Sequence, residues 1–370
     1  MYLSPSQLDA LRNYKYTAGM YGFLDTVLTP FWNWSVTLLP LSLAPNLVTL
    51  VALLCMASGS ALVVLLNPTL SESLPTWALL YCCACLFLYQ TLDAIDGKQA
   101  RRTGSSSPLG QLFDHGCDSV NVTLLLVIIC GCIRVGDSPF LVAGLFVIYT
   151  MPFYMANWEE FQTGMMRFGV IGVTEAQCTM MLILVITAVL GDDIWLASVF
   201  GCSIRNALVG IATAGSLFGS FENVYKVFFD NSTTLSKSFV RRNAVAQLIQ
   251  FWLFLGLTVF WMVCPFHKQV FQCPALPLLT AGLSFSYVIN RLIVAHVTHC
   301  VEFSACLYIM VPLCILASLS WASTASIFIP ALYLFTLYII VLYSHFVYSI
   351  INEICGCLNI RPFKITVKAD

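Results

Sequence analysis

Asp93-Ala94-Ile95-Asp96-Gly97-Lys98-Gln99-Ala100-Arg101, followed after a short gap by Gly110-Gln111-Leu112-Phe113-Asp114-His115-Gly116-Cys117-Asp118, is a polar island in an apolar sequence. Four of the 18 acidic residues fall within these 26 positions. Apolar runs flank the island, from Trp77 to Leu92 before it and from Val120 to Ile133 after it. Carboxylates at membrane depth are costly unless paired or bound to a cation. Two lipid-length helices that carry four of them therefore point to a functional site.

The spacing gives that site a geometry. On a helix, Asp93, Asp96, Gly97 and Ala100 share one face, and Gly110, Asp114 and Asp118 repeat the pattern on the next helix. Between them, Arg102 to Pro108 contains Gly104 and three serines, a composition that turns the chain back on itself. Four carboxylates are expected to converge. Such a cluster repels itself at low dielectric unless protons or cations sit among its oxygens. All-oxygen ligation suits Mg²⁺, Mn²⁺ or Ca²⁺, and two such ions suit a diphosphate. Gly97, Ala100 and Gly110 leave room for a phosphorylated ligand, and Arg101 offers a guanidinium fork for phosphate. A competing account pairs the carboxylates with Lys98, Arg101 and Arg102 at a membrane surface.

Outward from the island, the 370 residues are 59% hydrophobic and 9% charged, with a net charge of −1. That excludes an ordinary soluble domain and gives no footprint for a nucleic-acid partner. The expected fold is all-α, a polytopic membrane protein with about ten spans of about 20 residues. They lie near 46–67, 76–97, 111–133, 139–157, 175–190, 203–225, 243–263, 275–297, 305–323 and 326–350. Ahead of them, Leu8 to Tyr16 and Tyr21 to Trp34 mix aromatic and polar residues, as an interfacial segment does. No cleavable signal peptide is expected. The 16 cysteines sit mostly in apolar runs and read as packing residues. Three regions follow: 1–45 interfacial, 46–225 catalytic, and 226–370 of further spans and tail.

An even span count puts both termini on one side. If that side is cytosolic, all of the 17 Lys and Arg except Arg134, Arg205, Lys268 and Arg291 fall at cytosolic ends. The carboxylate cluster then faces the cytosol. The Asn231-Ser232-Thr233 sequon stays cytosolic and unmodified in this topology.

The island also fits DxxDGxxARx8Gx3Dx3D at every fixed position from Asp93 to Asp118. By that signature the chain resembles the CDP-alcohol phosphotransferase family. LDAIDGKQARRTGSSSPLGQLFDHGCDS, the early LAPNLVTL at Leu43 to Leu50 and MRFGVIGVTE ending at Glu175 are most similar to the eukaryotic choline/ethanolamine phosphotransferases. The resemblance implies transfer of phosphocholine or phosphoethanolamine from CDP-choline or CDP-ethanolamine to diacylglycerol, releasing CMP. It implies Asp93, Asp96, Asp114 and Asp118 as ligands of two Mg²⁺ (or Mn²⁺), and Asn46, Gly97, Ala100, Arg101, Gly104, Gly110 and Gln111 around the CDP-alcohol. It further implies a homodimer in endoplasmic reticulum or Golgi membranes.

His115 borders the cluster, and His is the side chain suited to take a proton from an alcohol near neutral pH. It is the expected general base, with Asp118 the other candidate. Glu175 is expected to support His115, although a carboxylate is also favourable at a helix start. Asn46 could equally cap the first span. Gly104 and Gln111 depart from the Asn and Glu of the family pattern, which bears on nucleotide binding and leaves the Asp set intact. Tyr89, Phe113, Tyr154 and Trp158 are aromatic candidates for a quaternary ammonium or for membrane anchoring. A cation-coupled transporter would also keep intramembrane carboxylates, but leaves the glycine and arginine spacing unexplained. An acceptor such as inositol is the nearer rival.

Overall fold

The polar turn after Asp96 is built as its residues dictate. Gly104 adopts φ +62°, a left-handed conformation that stops the preceding helix. Ser107 then caps the next helix, its hydroxyl accepting from the Gly110 N–H at 3.2 Å, with Pro108 at the first helical position. The computed structural model describes residues 2–14, 22–164, 172–229, 237–270, 272–300 and 306–365. Asn231 of the sequon and Lys368 lie outside these residues.

Around this turn the described chain is helical. In order the helices are α1 Pro5–Asn13, α2 Phe23–Ser35, α3 Pro45–Leu66, α4 Thr76–Arg102, α5 Pro108–Cys132, α6 Pro139–Thr163 and α7 Val173–Leu190. They continue with α8 Ile204–Phe229, α9 Lys237–Met262, α10 His267–Val270, α11 Ala275–Val297, α12 Leu307–Ala322 and α13 Ala325–Leu358. Among the described residues the only strands form a small hairpin, Ser198–Val199 with Cys202–Ser203. The protein is an all-α polytopic membrane protein. Each of the ten expected spans has its helix, and eight of these are long and apolar enough to cross a bilayer. The other two are α12, apolar but of 16 residues, and α8, which carries Glu222, Asn223 and Lys226 near its end.

Helix α3 packs along both α4 and α5, α7 packs on α4, and α11 packs on α5. Gly282 of α11 makes the last pairing close, because a Cβ there would stand 2.0 Å from Thr123 Oγ1. Small residues at such crossings let backbones approach where lipid offers no hydrophobic drive for helix association. Asn290 of α11 adds a polar tie, donating to Ser119 Oγ at 2.8 Å. The C-terminal helices thus buttress the helix that carries Asp114, His115 and Asp118.

The first and last of the described residues gather at the end of the bundle that holds Asp114, His115 and Asp118. Glu353 near the end of α13 accepts from the Tyr2 and Leu3 N–H groups at 2.7 and 2.8 Å, seating α1 there. Helix α2 buries Trp32 in a cluster with Val36, Val48 and Ile95, while Phe23, Val27 and Trp34 remain exposed. An apolar face turned outward beside the bundle end fits a helix lying in the membrane interface.

Candidate active site

The first turn of α3, the last turns of α4 and the first turns of α5 bring the polar island together. Asp93, Asp114 and Asp118 each offer a carboxylate oxygen within 4.8 Å of the others. Asp96, a turn after Asp93, is held separately: its Oδ2 accepts from Thr49 Oγ1 at 2.5 Å. It lies close enough to Asp114 and Asp118 to interact with both electrostatically. Asp118 Oδ1 accepts from the Tyr89 hydroxyl at 2.5 Å. Each of these two carboxylates is thus steered by a neutral donor one helix away.

The oxygens that remain test whether a cation fits. Asp93 Oδ1 and Asp114 Oδ1 are buried and have no hydrogen-bond partner. Orphaned anionic oxygens at low dielectric are a heavy cost unless a cation satisfies them. The donor set is all carboxylate, which suits a hard divalent ion. The residues present fit such a group.

The basic residues beside the cluster do not neutralise it. Lys98 Nζ donates to Asn33 Oδ1 at 2.9 Å. Arg102 donates to the carbonyls of Val36 and Leu39 and to Gln99 Oε1, while Gln99 Nε2 donates to the carbonyls of Pro40 and Leu43 at 2.9 and 3.1 Å. Lys98 thus holds the end of α2, and Gln99 and Arg102 clamp the connection between α2 and α3. Arg101 instead stays exposed, with its Nη1 3.6 Å from where a Cβ on Gly97 would be. The surface ion-pair account of the four carboxylates therefore fails.

Small residues leave space on these helices. A Cβ at Gly110 would meet Asn46 Oδ1 at 3.7 Å, and one at Gly104 would meet nothing within 4 Å. Ala100 lies a turn beyond Gly97, half-buried on the same helix. Asn46 is not a simple cap, since its Nδ2 donates to the Pro362 carbonyl at 2.9 Å and ties the C-terminal tail to the start of α3. Gly104 supplies a positive φ that Gly tolerates without strain.

His115 is half-buried on α5, within electrostatic range of Asp118 and of His296 on α11. The expected pairing of Glu175 with His115 is not made among the described contacts. Glu175 Oε1 accepts from Leu24 N–H and Oε2 from Gly172 N–H, both at 2.9 Å. Asp25 of α2 returns the contact, its Oδ1 accepting from Thr174 Oγ1 at 2.5 Å. The physical reason is the uncapped N–H groups at the starts of α2 and α7, which occupy both carboxylate oxygens.

The aromatic candidates separate. Tyr89 belongs to the site, and Phe113 packs edge-on against Phe363 of the tail with ring centres 5.7 Å apart. Tyr154 instead stacks on Phe251 of α9 at 3.7 Å, and Trp158 is fully buried. Sequence reasoning missed Thr49, one turn after Asn46 on the same face of α3. It also missed Glu160 at the end of α6, whose Oε1 accepts from Gln111 Nε2 at 3.3 Å. An adjacent pair of glutamates, Glu159 and Glu160, closing an apolar run was the available signal.

Comparison with known proteins follows the same residues. Residues 42–218 match the family model of CDP-alcohol phosphatidyltransferase. A Dictyostelium discoideum protein, "Uncharacterized CDP-alcohol phosphatidyltransferase class-I family protein 2", is 33% identical over 98% of this chain and 88% of its own length. Cholinephosphotransferase 1 of Xenopus laevis is 34% identical over 80% of this chain and 74% of its own. The Gallus gallus protein of the same name is 40% identical over 60% and 68%.

Proposed function

This chain belongs to the CDP-alcohol phosphatidyltransferase family, and from that premise we propose that it makes phosphatidylcholine, phosphatidylethanolamine or both. The donor would be CDP-choline or CDP-ethanolamine, the acceptor the free hydroxyl of diacylglycerol, and the second product CMP. The observation that carries the reading is the trio Asp93, Asp114 and Asp118, with two orphaned buried oxygens, set beside open glycine positions. The relatives named cholinephosphotransferase support choline as a headgroup.

Asp93, Asp96, Asp114 and Asp118 would hold the divalent cations, two Mg²⁺ or Mn²⁺, which when bound offset charge on the diphosphate. The remaining work belongs to the chain. Asn46, Gly97, Ala100, Arg101, Gly104, Gly110 and Gln111 form the donor subsite, the small residues by leaving space and Arg101 by meeting phosphate. His115 takes the proton of the lipid hydroxyl on an imidazole nitrogen, and the oxygen attacks the phosphorus that bears the headgroup. The bond from that phosphorus to the bridging oxygen breaks, and CMP leaves with the bond's electron pair. Glu175 serves by fixing the start of α7 against α2 rather than by touching His115.

Diacylglycerol reaches the site laterally from the bilayer. Lys98, Arg101, Arg102, Lys226, Arg361 and Lys364 lie at or just beyond helix termini at the site end of the bundle, which supports a cytosolic active site. At the opposite end Arg134 pairs with Asp192 and Asp193, and Arg205 with Asp137. Endoplasmic reticulum or Golgi membranes and a homodimer follow from the resemblance. The test is a substrate panel: purified protein with diacylglycerol or inositol as acceptor and each CDP-alcohol as donor, with products identified by mass spectrometry. Phosphatidylcholine or phosphatidylethanolamine is expected; product only with inositol would overturn the proposal.

A further inference from the structure

Gln111 stands in a chain of buried polar contacts that runs across four segments. Its Nε2 donates to Glu160 Oε1 of α6 at 3.3 Å, and its Oε1 accepts from the Tyr14 hydroxyl, just beyond α1, at 2.5 Å. His296 Nε2 of α11 lies 3.6 Å from the same Glu160 oxygen. The Tyr14 ring meets His296 edge-on, with centres 6.2 Å apart, and tilts over His299 at 5.6 Å. Gln111 and Glu160 are only 9% and 4% exposed, so bulk water does not take over these contacts.

The two ends of a primary amide have nearly the same shape, so its orientation is set by its neighbours. A carboxylate oxygen accepts from an amide N–H, and Glu160 Oε1 takes the NH₂ end of Gln111. The oxygen is forced to the other side. The Tyr14 hydroxyl can donate or accept, so it follows the amide rather than directing it. What results is a hydrogen-bond acceptor with a fixed direction, one residue after the open Gly110 face beside Asn46. Cytosine carries an amino donor where uracil carries a carbonyl acceptor. A fixed acceptor pairs with the first and opposes the second, and unpaired buried polar groups discriminate strongly.

We propose that Glu160 is a positioning residue that locks the Gln111 amide with its oxygen toward the base of the nucleotide, and that the Tyr14 hydroxyl holds that oxygen until the base amine displaces it. The proposal rests on the reading of Gln111 as part of the CDP-alcohol subsite. A carboxylate at 111 would face the Glu160 carboxylate.

The test compares binding of CMP and UMP to the purified full chain with Mg²⁺ present, alongside KM for CDP-choline and UDP-choline. Wild type should prefer the cytosine compounds by at least about tenfold. In Glu160→Gln the 111 amide is free to face either way, and the preference should fall toward parity through KM. The double variant Gln111→Glu with Glu160→Gln exchanges the pair and should restore the preference. Tyr14→Phe should tighten CMP severalfold, because its hydroxyl no longer competes. An unchanged preference in Glu160→Gln, or equal weakening of both nucleotides, overturns the proposal. If Glu160→Gln does not fold, the double variant decides: preference kept supports the lock, preference lost overturns it. CMP and UMP carry no headgroup, so failure of transfer with both CDP-alcohols would count against the proposed reaction alone.

Discussion

Replacing Tyr89 by Phe removes one hydroxyl from a fully buried ring and leaves the packing volume unchanged. That hydroxyl donates to Asp118 Oδ1 at 2.5 Å, and Asp118 shares the carboxylate cluster with Asp93 and Asp114. A hydrogen bond to a charged group contributes about 1.5–3 kcal/mol, which is about one to two orders of magnitude in an equilibrium constant. Loss of a residue that orients a metal ligand typically costs about 10–100-fold in metal affinity, so two independent routes agree. The Mg²⁺ concentration giving half-maximal CMP release should therefore rise about 10–100-fold. Turnover at saturating Mg²⁺ should change little, since the carboxylates themselves remain. Mn²⁺ titration followed by electron paramagnetic resonance, without substrate, should show the same weakening. An unmoved metal midpoint, or a fall in saturated turnover with the midpoint unchanged, would refute the assignment of Tyr89 as the group that orients Asp118.

Four further outcomes follow from the same contacts. His115→Ala should lower turnover by about 10²–10⁴-fold with CMP binding retained, whereas Glu175→Gln should chiefly lower thermal stability, by about 1–3 kcal/mol, because it loosens the α2–α7 clasp; calorimetry and initial rates on both variants separate the two roles. Gly110→Leu should raise KM for the CDP-alcohol without unfolding the protein, since the space beside Asn46 takes a Cβ at 3.7 Å but a larger side chain would occupy it. Gly282→Ala should cost about 1–3 kcal/mol by overpacking against Thr123, and Thr123→Ala in the same chain should recover part of it in a thermal melt.

The spans were legible because twenty-residue apolar runs have few alternatives in a protein of this composition, and a helix covers most of each of the ten. The carboxylate cluster was legible because helical spacing fixes which side chains share a face. Helix ends were less so: α4 continues through Lys98, Gln99 and Arg102, whose polar groups serve as clamps on residues 33–43 rather than as the end of a span. Glu175 shows where residue type underdetermines role. A carboxylate at a helix start can support an imidazole or cap backbone N–H groups, and only the arrival of Leu24 from a distant helix decides. The partners of Gln111, Glu160 and Tyr14, are far from it in sequence, and no local pattern reports such contacts.

The central claim is that the half-buried carboxylate cluster supports cation-dependent group transfer to a membrane lipid. It is tested most directly by giving the purified protein, in detergent or vesicles, diacylglycerol and CDP-choline labelled in the choline, with and without Mg²⁺, beside Asp93→Asn. CMP and labelled phospholipid in equal amounts, dependent on Mg²⁺ and absent from Asp93→Asn, are the predicted result. Equal product from Asp93→Asn, or ion-driven uptake of a solute into vesicles with no CMP formed, would contradict the account.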